Sequence, residues 1–208
     1  MKVDYTFYLE YMKEPAFKTI FERRLRKIQT DIATYYLPTQ NILEEFFVEI
    51  FSWTVLPKPL LHVMDTLIAS YVPDYTLVDP CSGNSFHTFL FHQFCKRKVI
   101  TVDIQREEEA WIETIEGDGL AYMKDNITSY EDKVLLLSWI DYDDLTVALL
   151  RAYTGKMVIG IGNYDKSNAK QYLEELSQHY TLVQHYVLQM PWNSSEHIRI
   201  YKKNILSM

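Results

Sequence analysis

Residues 77–85 read Leu-Val-Asp-Pro-Cys-Ser-Gly-Asn-Ser, and residues 99–103 read Val-Ile-Thr-Val-Asp. The pattern is an apolar strand, a tight turn that contains Gly83, a helix, and a second apolar strand that ends in an acid. Open α/β sheets hold ribose-bearing cofactors with such a unit, because the turn lets backbone approach the ligand and the acid accepts hydrogen bonds from ribose hydroxyls. Asp103 follows Gly83 at the usual offset of about 20 positions. The sequence therefore predicts a ribose-binding pocket with Asp103 at its edge.

The composition of the turn discriminates among cofactors. A dinucleotide fingerprint, G-x-G-x-x-G, aligns with Cys81, Gly83 and Phe86, and the Phe86 ring is too bulky for a position where helix packs on strand. NAD-dependent redox chemistry is therefore disfavoured. The acid-x-G-x-G-x-G turn of methyltransferases aligns with Asp79, Cys81, Gly83 and Ser85, where every substitution is small. S-adenosylmethionine is the expected cofactor, and a strand-turn-helix unit without a ligand is the alternative.

Composition limits the class of protein. The chain has 208 residues, of which 48% are hydrophobic and 24% charged, and its formal net charge is −7. This length suits one domain with an N-terminal extension, and no apolar segment approaches the roughly 18 residues of a membrane span. Cys81 and Cys95 lie at opposite ends of a predicted helix, too far apart for a disulfide, which favours a soluble protein of the reducing cytoplasm. The negative charge disfavours nucleic acid and leaves a small-molecule or protein acceptor, with the oligomeric state open.

Residues 1–73 are predicted to form an N-terminal helical cap. Its first helix is amphipathic, with an apolar face and a basic face: Phe17, Ile20, Phe21, Leu25 and Ile28 oppose Lys18, Arg23, Arg26 and Lys27. A second helix is predicted at about 41–53, where Asn41 and Glu44 can form a capping box. A third is predicted at 59–71 and ends before Pro73.

Residues 74–208 are predicted to form an α/β core of alternating strands and helices. The expected strands are at about 75–79, 98–103, 111–115, 133–138, 156–161, 180–188 and 197–203, with helices near 84–95, 118–126, 143–153 and 166–178. The last two strands are joined by too few residues for a helical crossover, so they should form an antiparallel hairpin. The predicted fold is a seven-stranded, mostly parallel sheet with an antiparallel C-terminal hairpin and helices on both faces.

Four motifs occur in the order seen in one group of methyltransferases. They are Phe-Ser-Trp-Thr-Val-Leu-Pro at 51–57, the turn at 79–85, Leu-Leu-Leu-Ser-Trp-Ile-Asp-Tyr at 135–142, and Val-Ile-Gly-Ile-Gly-Asn at 158–163. With these motifs the chain resembles the class I SAM-dependent methyltransferase superfamily, which implies a Rossmann-like fold and methyl transfer from S-adenosylmethionine. Within the superfamily it resembles a poorly characterised group of bacteria, fungi and large DNA viruses that carries a Ser-Trp-Pro-Pro motif.

The chain departs from that group at several positions. Cys81 and Ser85 replace two turn glycines, Ile140-Asp141 replaces the paired prolines, and Asn163 replaces an acid. In amino-methyltransferases the paired prolines point main-chain carbonyls at the target nitrogen. The departures therefore favour a second hypothesis, a catalytically inactive methyltransferase-like fold that serves as a protein interaction module.

The candidate cofactor-binding residues follow from the turn and the resemblance. They are Asp79, Cys81, Gly83, Ser85, Asp103, Ile104, Asp118 and Gly119. Asp103 is expected to bind the ribose diol, and Asp79 to orient the turn and reach the cofactor amino group through water. Asp118 stands where the superfamily contacts the adenine amino group, and it is equally well explained as the N-cap of the next helix.

The candidate catalytic residues are Ser138, Trp139 and Asp141, because ligands bind beyond the carboxyl ends of parallel strands. Trp139 either stacks on the acceptor and attracts the sulfonium charge, or is a core indole. Asp141 is a candidate general base, while a neighbouring acid at 143 or 144 caps the next helix.

No metal site is predicted. Cys81, His87, His92 and Cys95 form a cluster in sequence, but His87 and His92 lie about 140° apart around a helix and cannot share one ion.

Overall fold

A computed structural model describes residues 1–34, 42–139, 144–164, 169–192 and 194–204. A short 3-10 helix at Phe7–Lys13 comes first. The α-helices are α1 (Pro15–Thr34), α2 (Ile42–Ile50), α3 (Lys58–Tyr71), α4 (Phe86–Cys95), α5 (Gly119–Asn126), α6 (Asp144–Ala152) and α7 (Ala169–His179). The strands are β1 (Thr76–Asp79), β2 (Lys98–Asp103), β3 (Ile115–Glu116), β4 (Lys133–Ser138), β5 (Met157–Gly162), β6 (Tyr180–Gln189) and β7 (Ser195–Lys203).

The seven strands form one sheet in the order β3-β2-β1-β4-β5-β7-β6. The neighbours from β3 to β5 pair in parallel, and β7 pairs antiparallel with both β5 and β6. Val78 in β1 lies opposite Ile100 of β2 on one side and Leu135 of β4 on the other. The strand order reverses between β1 and β4, and α/β sheets bind ligands beyond the carboxyl ends of the strands at such a point. The predicted mostly parallel sheet with its antiparallel C-terminal hairpin is confirmed.

Successive residues of the strands face opposite layers of helices. In β4, Leu136 packs in a buried cluster with residues of the N-terminal helices and α4, whereas Leu135 packs in a second cluster with residues of α5, α6 and α7. Phe17, Phe51 and Leu61, which are fully buried, belong to the first cluster. The apolar face predicted for α1 is thus turned inward, and the N-terminal helices form one full layer over the sheet.

The third strand is shorter and later than predicted. It covers Ile115–Glu116, whereas the sequence pattern placed it at 111–115. Trp111 is instead buried among aromatic rings, lies 4.8 Å from the ring of Phe17, and donates its indole N–H to the carbonyl of Ile50 at 2.8 Å. Trp111 therefore packs against the N-terminal helices, whereas the carbonyl of Glu113 accepts from the hydroxyl of Thr101 in β2.

Most other predicted boundaries agree to within two residues, but α2 ends at Ile50, three residues before the predicted end at 53. Helix α4 begins at Phe86, two residues later than predicted, because Ser85 has a left-handed φ of 61° that ends the turn. The predicted capping residue Asn41 and the first residues predicted for the last helix, 166–168, lie outside the described residues.

The two cysteines, Cys81 and Cys95, form no disulfide. Across the described ranges, no helix combines the length and the apolar character needed to cross a membrane.

Candidate functional site

A cavity of about 310 Å³ opens at the carboxyl ends of β1, β2 and β4, where the strand order reverses. Its walls come from α1, α2, the segment before α3, the turn after β1, the start of α4, the segment after β2 and the end of β4. The lining residues are Arg24, Val48, Glu49, Ser52, Trp53, Asp79, Cys81, Ser82, Gly83, Asn84, Phe86, His87, Asp103, Glu107, Ser138 and Trp139. Six of the residues selected from the sequence are among them: Asp79, Cys81, Gly83, Asp103, Ser138 and Trp139.

The turn after β1 is held open toward the cavity. Gly83 has a φ of 50°, and a Cβ atom added there would meet no other atom within 4 Å. The glycine is therefore needed for its backbone conformation rather than for space. Asn84 fixes the turn, since its amide donates to the carbonyl of Phe51 at 2.7 Å and its Oδ1 accepts from the N–H of Phe86 at 3.0 Å.

Asp103 contacts the turn directly. Its Oδ2 accepts a hydrogen bond from the N–H of Gly83 at 2.7 Å, and its Oδ1 accepts from the N–H of Gln105 at 3.1 Å. A carboxylate oxygen can accept more than one hydrogen bond. The carboxylate of Asp103 thus joins the ends of β1 and β2 and keeps lone pairs for ligand hydroxyls.

Asp79 lines the cavity and is only 2% exposed. Its Oδ2 accepts a hydrogen bond from the hydroxyl of Thr88 at 2.6 Å, while its Oδ1 is buried with no hydrogen-bond partner among the described residues. Burial raises the pKa of Asp79 to about 7 and the negative charge of Asp103 adds to that shift, whereas the Thr88 hydroxyl and the backbone N–H of Cys81 oppose it. An unpaired buried carboxylate oxygen is costly, so it marks a place for a donor or a cation.

A histidine that the sequence analysis considered only as a metal ligand joins two walls of the cavity. The Nε2 atom of His87 lies 2.7 Å from the carbonyl of Thr54, and its Nδ1 atom lies 2.8 Å from the hydroxyl of Ser138. Because a carbonyl only accepts, Nε2 carries the proton. Burial lowers the pKa of His87 to about 4, so the ring is neutral and its Nδ1 accepts from the Ser138 O–H.

Trp139 forms the outer wall beside Ser138. It is partly buried, has a left-handed φ of 53°, and donates its indole N–H to the hydroxyl oxygen of Thr54 at 2.6 Å. Trp53 lies against it, with ring centroids 5.5 Å apart and an interplanar angle of 33°. The two indoles give the cavity an aromatic side.

Arg24 of α1 is buried and lines the cavity. All three guanidinium nitrogens donate to the protein: Nε to the carbonyl of Ile50 at 2.9 Å, Nη2 to the carbonyl of Glu49 at 2.5 Å, and Nη1 to the Glu107 carboxylate at 3.2 Å and to the Glu109 carbonyl. This network ties α1 and α2 to the segment between β2 and β3.

Four predicted cofactor residues do not line the cavity. Ser85 is buried, and its hydroxyl bonds to those of Ser82 at 3.0 Å and Thr114 at 2.7 Å. Ile104 is 77% exposed. Asp118 caps α5 by accepting from the N–H of Ala121 at 2.8 Å, and a Cβ atom on Gly119 would collide with the carbonyl of Pro80. Asp141, the predicted general base, lies outside the described residues.

Sequence reasoning did not select Arg24, Trp53 or His87 as site residues. Arg24 falls within the apolar face of α1, at helical spacing from Phe17 and Ile28, and a charged residue on that face is the signal that could have selected it. The proximity of His87 to Ser138 needs α4 to pack beside the end of β4, which spacing alone does not reveal. Within the described residues there is no group of three or more His, Cys, Asp or Glu side chains that could hold a metal ion.

Several solved structures that resemble this chain are described as methyltransferases. A Klebsiella pneumoniae protein provisionally described as an O-methyltransferase superposes with a TM-score of 0.58 at 10% identity, over 94% of this chain and 95% of its own. A Listeria monocytogenes protein provisionally described as a class I S-adenosylmethionine-dependent methyltransferase gives 0.52 at 10% identity, over 95% and 73%. The Burkholderia thailandensis 1,6-didemethyltoxoflavin-N1-methyltransferase, solved with S-adenosylhomocysteine, gives 0.50 at 9% identity, over 70% and 78%.

At these identities the likeness concerns the fold. No protein-family model matches the sequence, and no curated protein is significantly similar to it. The strand order, the hairpin and the structural neighbours together define the class: the chain has the fold of class I SAM-dependent methyltransferases.

Proposed function

We propose that this chain is a SAM-dependent methyltransferase that binds its cofactor in the cavity between β1, β2 and β4. The observation that carries the proposal is the position of the cavity: it opens where the strand order reverses, between the Gly83 turn and Asp103, in a sheet of the class I methyltransferase order. A structural neighbour that contains S-adenosylhomocysteine supports the choice of cofactor.

The residues at the cavity fit the groups of the cofactor. Asp103 is suited to the ribose diol, the backbone at Gly83 leaves room for close approach, and the unpaired Oδ1 of Asp79 is suited to the cofactor ammonium group. S-adenosylmethionine supplies a methyl group on a sulfonium centre. We include the more peripheral candidates, Cys81, Ser85, Ile104, Asp118 and Gly119, as residues that shape the turn and the adenine side.

The acceptor lies in this proposal against Ser138 and Trp139. Methyl transfer needs little covalent help from a protein, and most of the rate comes from holding the nucleophile in line with the methyl group. Ser138 is fixed by His87, and Trp139 is fixed by Thr54, so both present a defined surface to an acceptor. We keep Asp141 as a candidate base, since it follows these residues along the chain.

A catalytically inactive methyltransferase-like module is the second candidate function. The observation that favours it is that both carboxylate oxygens of Asp103 already accept backbone N–H groups, one of them from the turn itself. The side chains of Cys81 and Ser85 also favour an inactive module, because glycine in their place would let the backbone approach a cofactor more closely.

The subgroup, the domain bounds, the compartment and the acceptor class in this proposal rest on the sequence. The order of its motifs supports membership of the Ser-Trp-Pro-Pro group of bacteria, fungi and large DNA viruses. We propose residues 1–73 as the cap and 74–208 as the catalytic core, in a cytoplasmic enzyme whose acceptor is a small molecule or a protein. Two cysteines that form no disulfide are consistent with a reducing compartment.

Calorimetric titration with S-adenosylhomocysteine tests the proposal. Asp103→Ala should weaken binding by about 1.5–3 kcal/mol, the range for a lost hydrogen bond to a charged group. The matched control is Asp125→Ala, because Asp125 is exposed on α5 and lies outside the cavity lining, and it should bind like the wild type. Equal affinities for the wild type and Asp103→Ala would contradict the ribose assignment. A wild-type protein that binds no ligand at millimolar concentration would support the inactive module.

A further inference from the structure

The hydrogen bonds around Ser138 fix which groups it can offer to a ligand. Thr54 accepts the Nε2–H of His87, so the Nδ1 atom of His87 carries a lone pair and takes the proton of the Ser138 hydroxyl. The donor of Ser138 is thereby used inside the protein. What Ser138 presents to the cavity is the pair of lone pairs on Oγ, which can only accept hydrogen bonds.

The side-chain donors that line the cavity also have protein partners. Each guanidinium nitrogen of Arg24 donates to a protein oxygen, the side-chain amide of Asn84 donates to Phe51, and the indole N–H of Trp139 donates to Thr54. This engagement disfavours an anionic ligand.

Negative charge also lines the cavity. The proposed function assigns Asp79 and Asp103 to the cofactor, so Glu49 is the lining acid left for an acceptor. An acid in the same cavity as the acceptor-only Ser138 favours a ligand that brings donors or positive charge.

The aromatic wall adds a preference for planar groups. Trp53 is 46% exposed at the cavity and packs at an angle of 33° on Trp139. Indole faces attract cations and stack on flat rings. Trp53, Ser138 and Trp139 thus give the cavity an aromatic wall beside a hydroxyl oxygen that accepts hydrogen bonds.

We propose that the methyl acceptor is a nitrogen that carries an N–H and belongs to a planar group such as an aromatic amine or an amidine, bound between Ser138 and the two indoles. The inference rests on the proposed methyltransferase function. An acceptor that is cationic in solution first releases a proton, because only a neutral nitrogen has a lone pair. Its N–H donates to Oγ of Ser138, and the lone pair attacks the methyl carbon. The N–CH3 bond forms as the S–CH3 bond breaks, which leaves S-adenosylhomocysteine and a methylated nitrogen cation. That cation keeps its charge if it is an amidinium and loses a proton to solvent if it is an anilinium.

Three probes of one shape test the inference. Benzamidine, benzamide and benzoate are flat and nearly equal in size, and they are cationic, neutral and anionic. We would titrate each into the full-length protein at about pH 8, where the Asp79 carboxyl group, with its pKa of about 7, is mostly ionised. The titrations are done with and without saturating S-adenosylhomocysteine, whose own binding is measured separately.

Benzamidine should bind to the S-adenosylhomocysteine complex at least tenfold more tightly than benzamide, and benzoate should bind least. Ser138→Ala and Glu49→Gln should each weaken benzamidine binding at least threefold. The matched controls are Ser177→Ala and Glu45→Gln, since both side chains are exposed on helices outside the cavity lining, and these variants should bind like the wild type.

The inference is overturned if benzoate binds as tightly as benzamidine, if benzamidine gains less than threefold over benzamide, or if none of the probes binds at 10 mM, a limit of about −2.7 kcal/mol. It is also overturned if Ser138→Ala and Glu49→Gln both bind benzamidine like the wild type. A protein that binds S-adenosylhomocysteine but shows any of these results loses this inference alone. A protein that does not bind S-adenosylhomocysteine loses the proposed function.

Discussion

Thr54 contacts two residues of the cavity wall through different atoms. Its carbonyl accepts from His87, and its hydroxyl oxygen accepts from the indole of Trp139. Since His87 in turn orients Ser138, one residue of the segment between α2 and α3 sets the geometry of the whole acceptor side. A single residue of the N-terminal region thus links the helical layer to the edge of the sheet.

The position of Trp139 predicts a modest stability cost for its removal. Trp139→Ala should lower the free energy of unfolding by less than about 2 kcal/mol, because the ring is only partly buried and lines a cavity. Trp111 is the matched control: it is 1% exposed within the aromatic cluster, and Trp111→Ala should cost about 3–5 kcal/mol. Urea denaturation measures both. A cost for Trp139→Ala equal to that for Trp111→Ala would mean that Trp139 is a core residue.

The buried carboxyl of Asp79 predicts a pH dependence of stability. Its folded-state pKa of about 7 lies above the ordinary 3.8, so between these values the folded protein keeps a proton that the unfolded chain releases. The stability that Asp79 contributes is therefore present below about pH 4 and is lost as the pH rises through about 7. Asparagine cannot ionise, so Asp79→Asn should abolish this loss, which is on the order of 4 kcal/mol.

Urea denaturation from about pH 4 to pH 8 measures this effect. The wild type should lose stability relative to Asp79→Asn as the pH rises. Asp74→Asn, an exposed change just before β1, should follow the wild type at every pH. Parallel curves for the wild type and Asp79→Asn would show that Asp79 titrates alike in both states.

At the scale of secondary structure, the sequence predicted the elements that carry their own pattern. Strands β1, β4 and β5 are continuous apolar runs buried on both faces, and the 3.6-residue period of α1 was visible without any partner. The start of strand β3 was predicted too early because Trp111 and Ile112 resemble the start of a strand. In the structure the Trp111 ring packs on Phe17 and donates its N–H to Ile50. These are tertiary contacts, which a local sequence pattern does not reveal.

The residues of the candidate site also divide into those that a local pattern predicts and those that depend on tertiary packing. Asp79, Gly83, Asp103 and Ser138 were predictable because each follows a strand, and strand ends converge at one edge of a parallel sheet. His87 and Arg24 were missed because their roles depend on how helices from distant parts of the chain pack over that edge. Asp118 and Gly119 are explained by local structure, a helix cap and a close approach to Pro80.

In the molecule as a whole, the N-terminal helices and the sheet share one buried cluster, and the cavity lies where they meet. Phe51 packs in the same cluster as Leu136 of the central strand, and Arg24 holds the helical layer to the segment that precedes β3. The cavity lies where these parts meet, so its walls include residues from both the predicted cap and the predicted core. Cofactor binding should therefore involve the whole chain rather than residues 74–208 alone.

A crystal structure of the full chain grown with millimolar S-adenosylhomocysteine tests the central claim most directly. The account predicts the ligand in the cavity between β1, β2 and β4, with its ribose hydroxyls on the carboxylate of Asp103 and its ammonium group near Oδ1 of Asp79. The thioether sulfur should face Ser138 and Trp139. An empty cavity under these conditions, or a ligand bound elsewhere on the chain, would contradict the account.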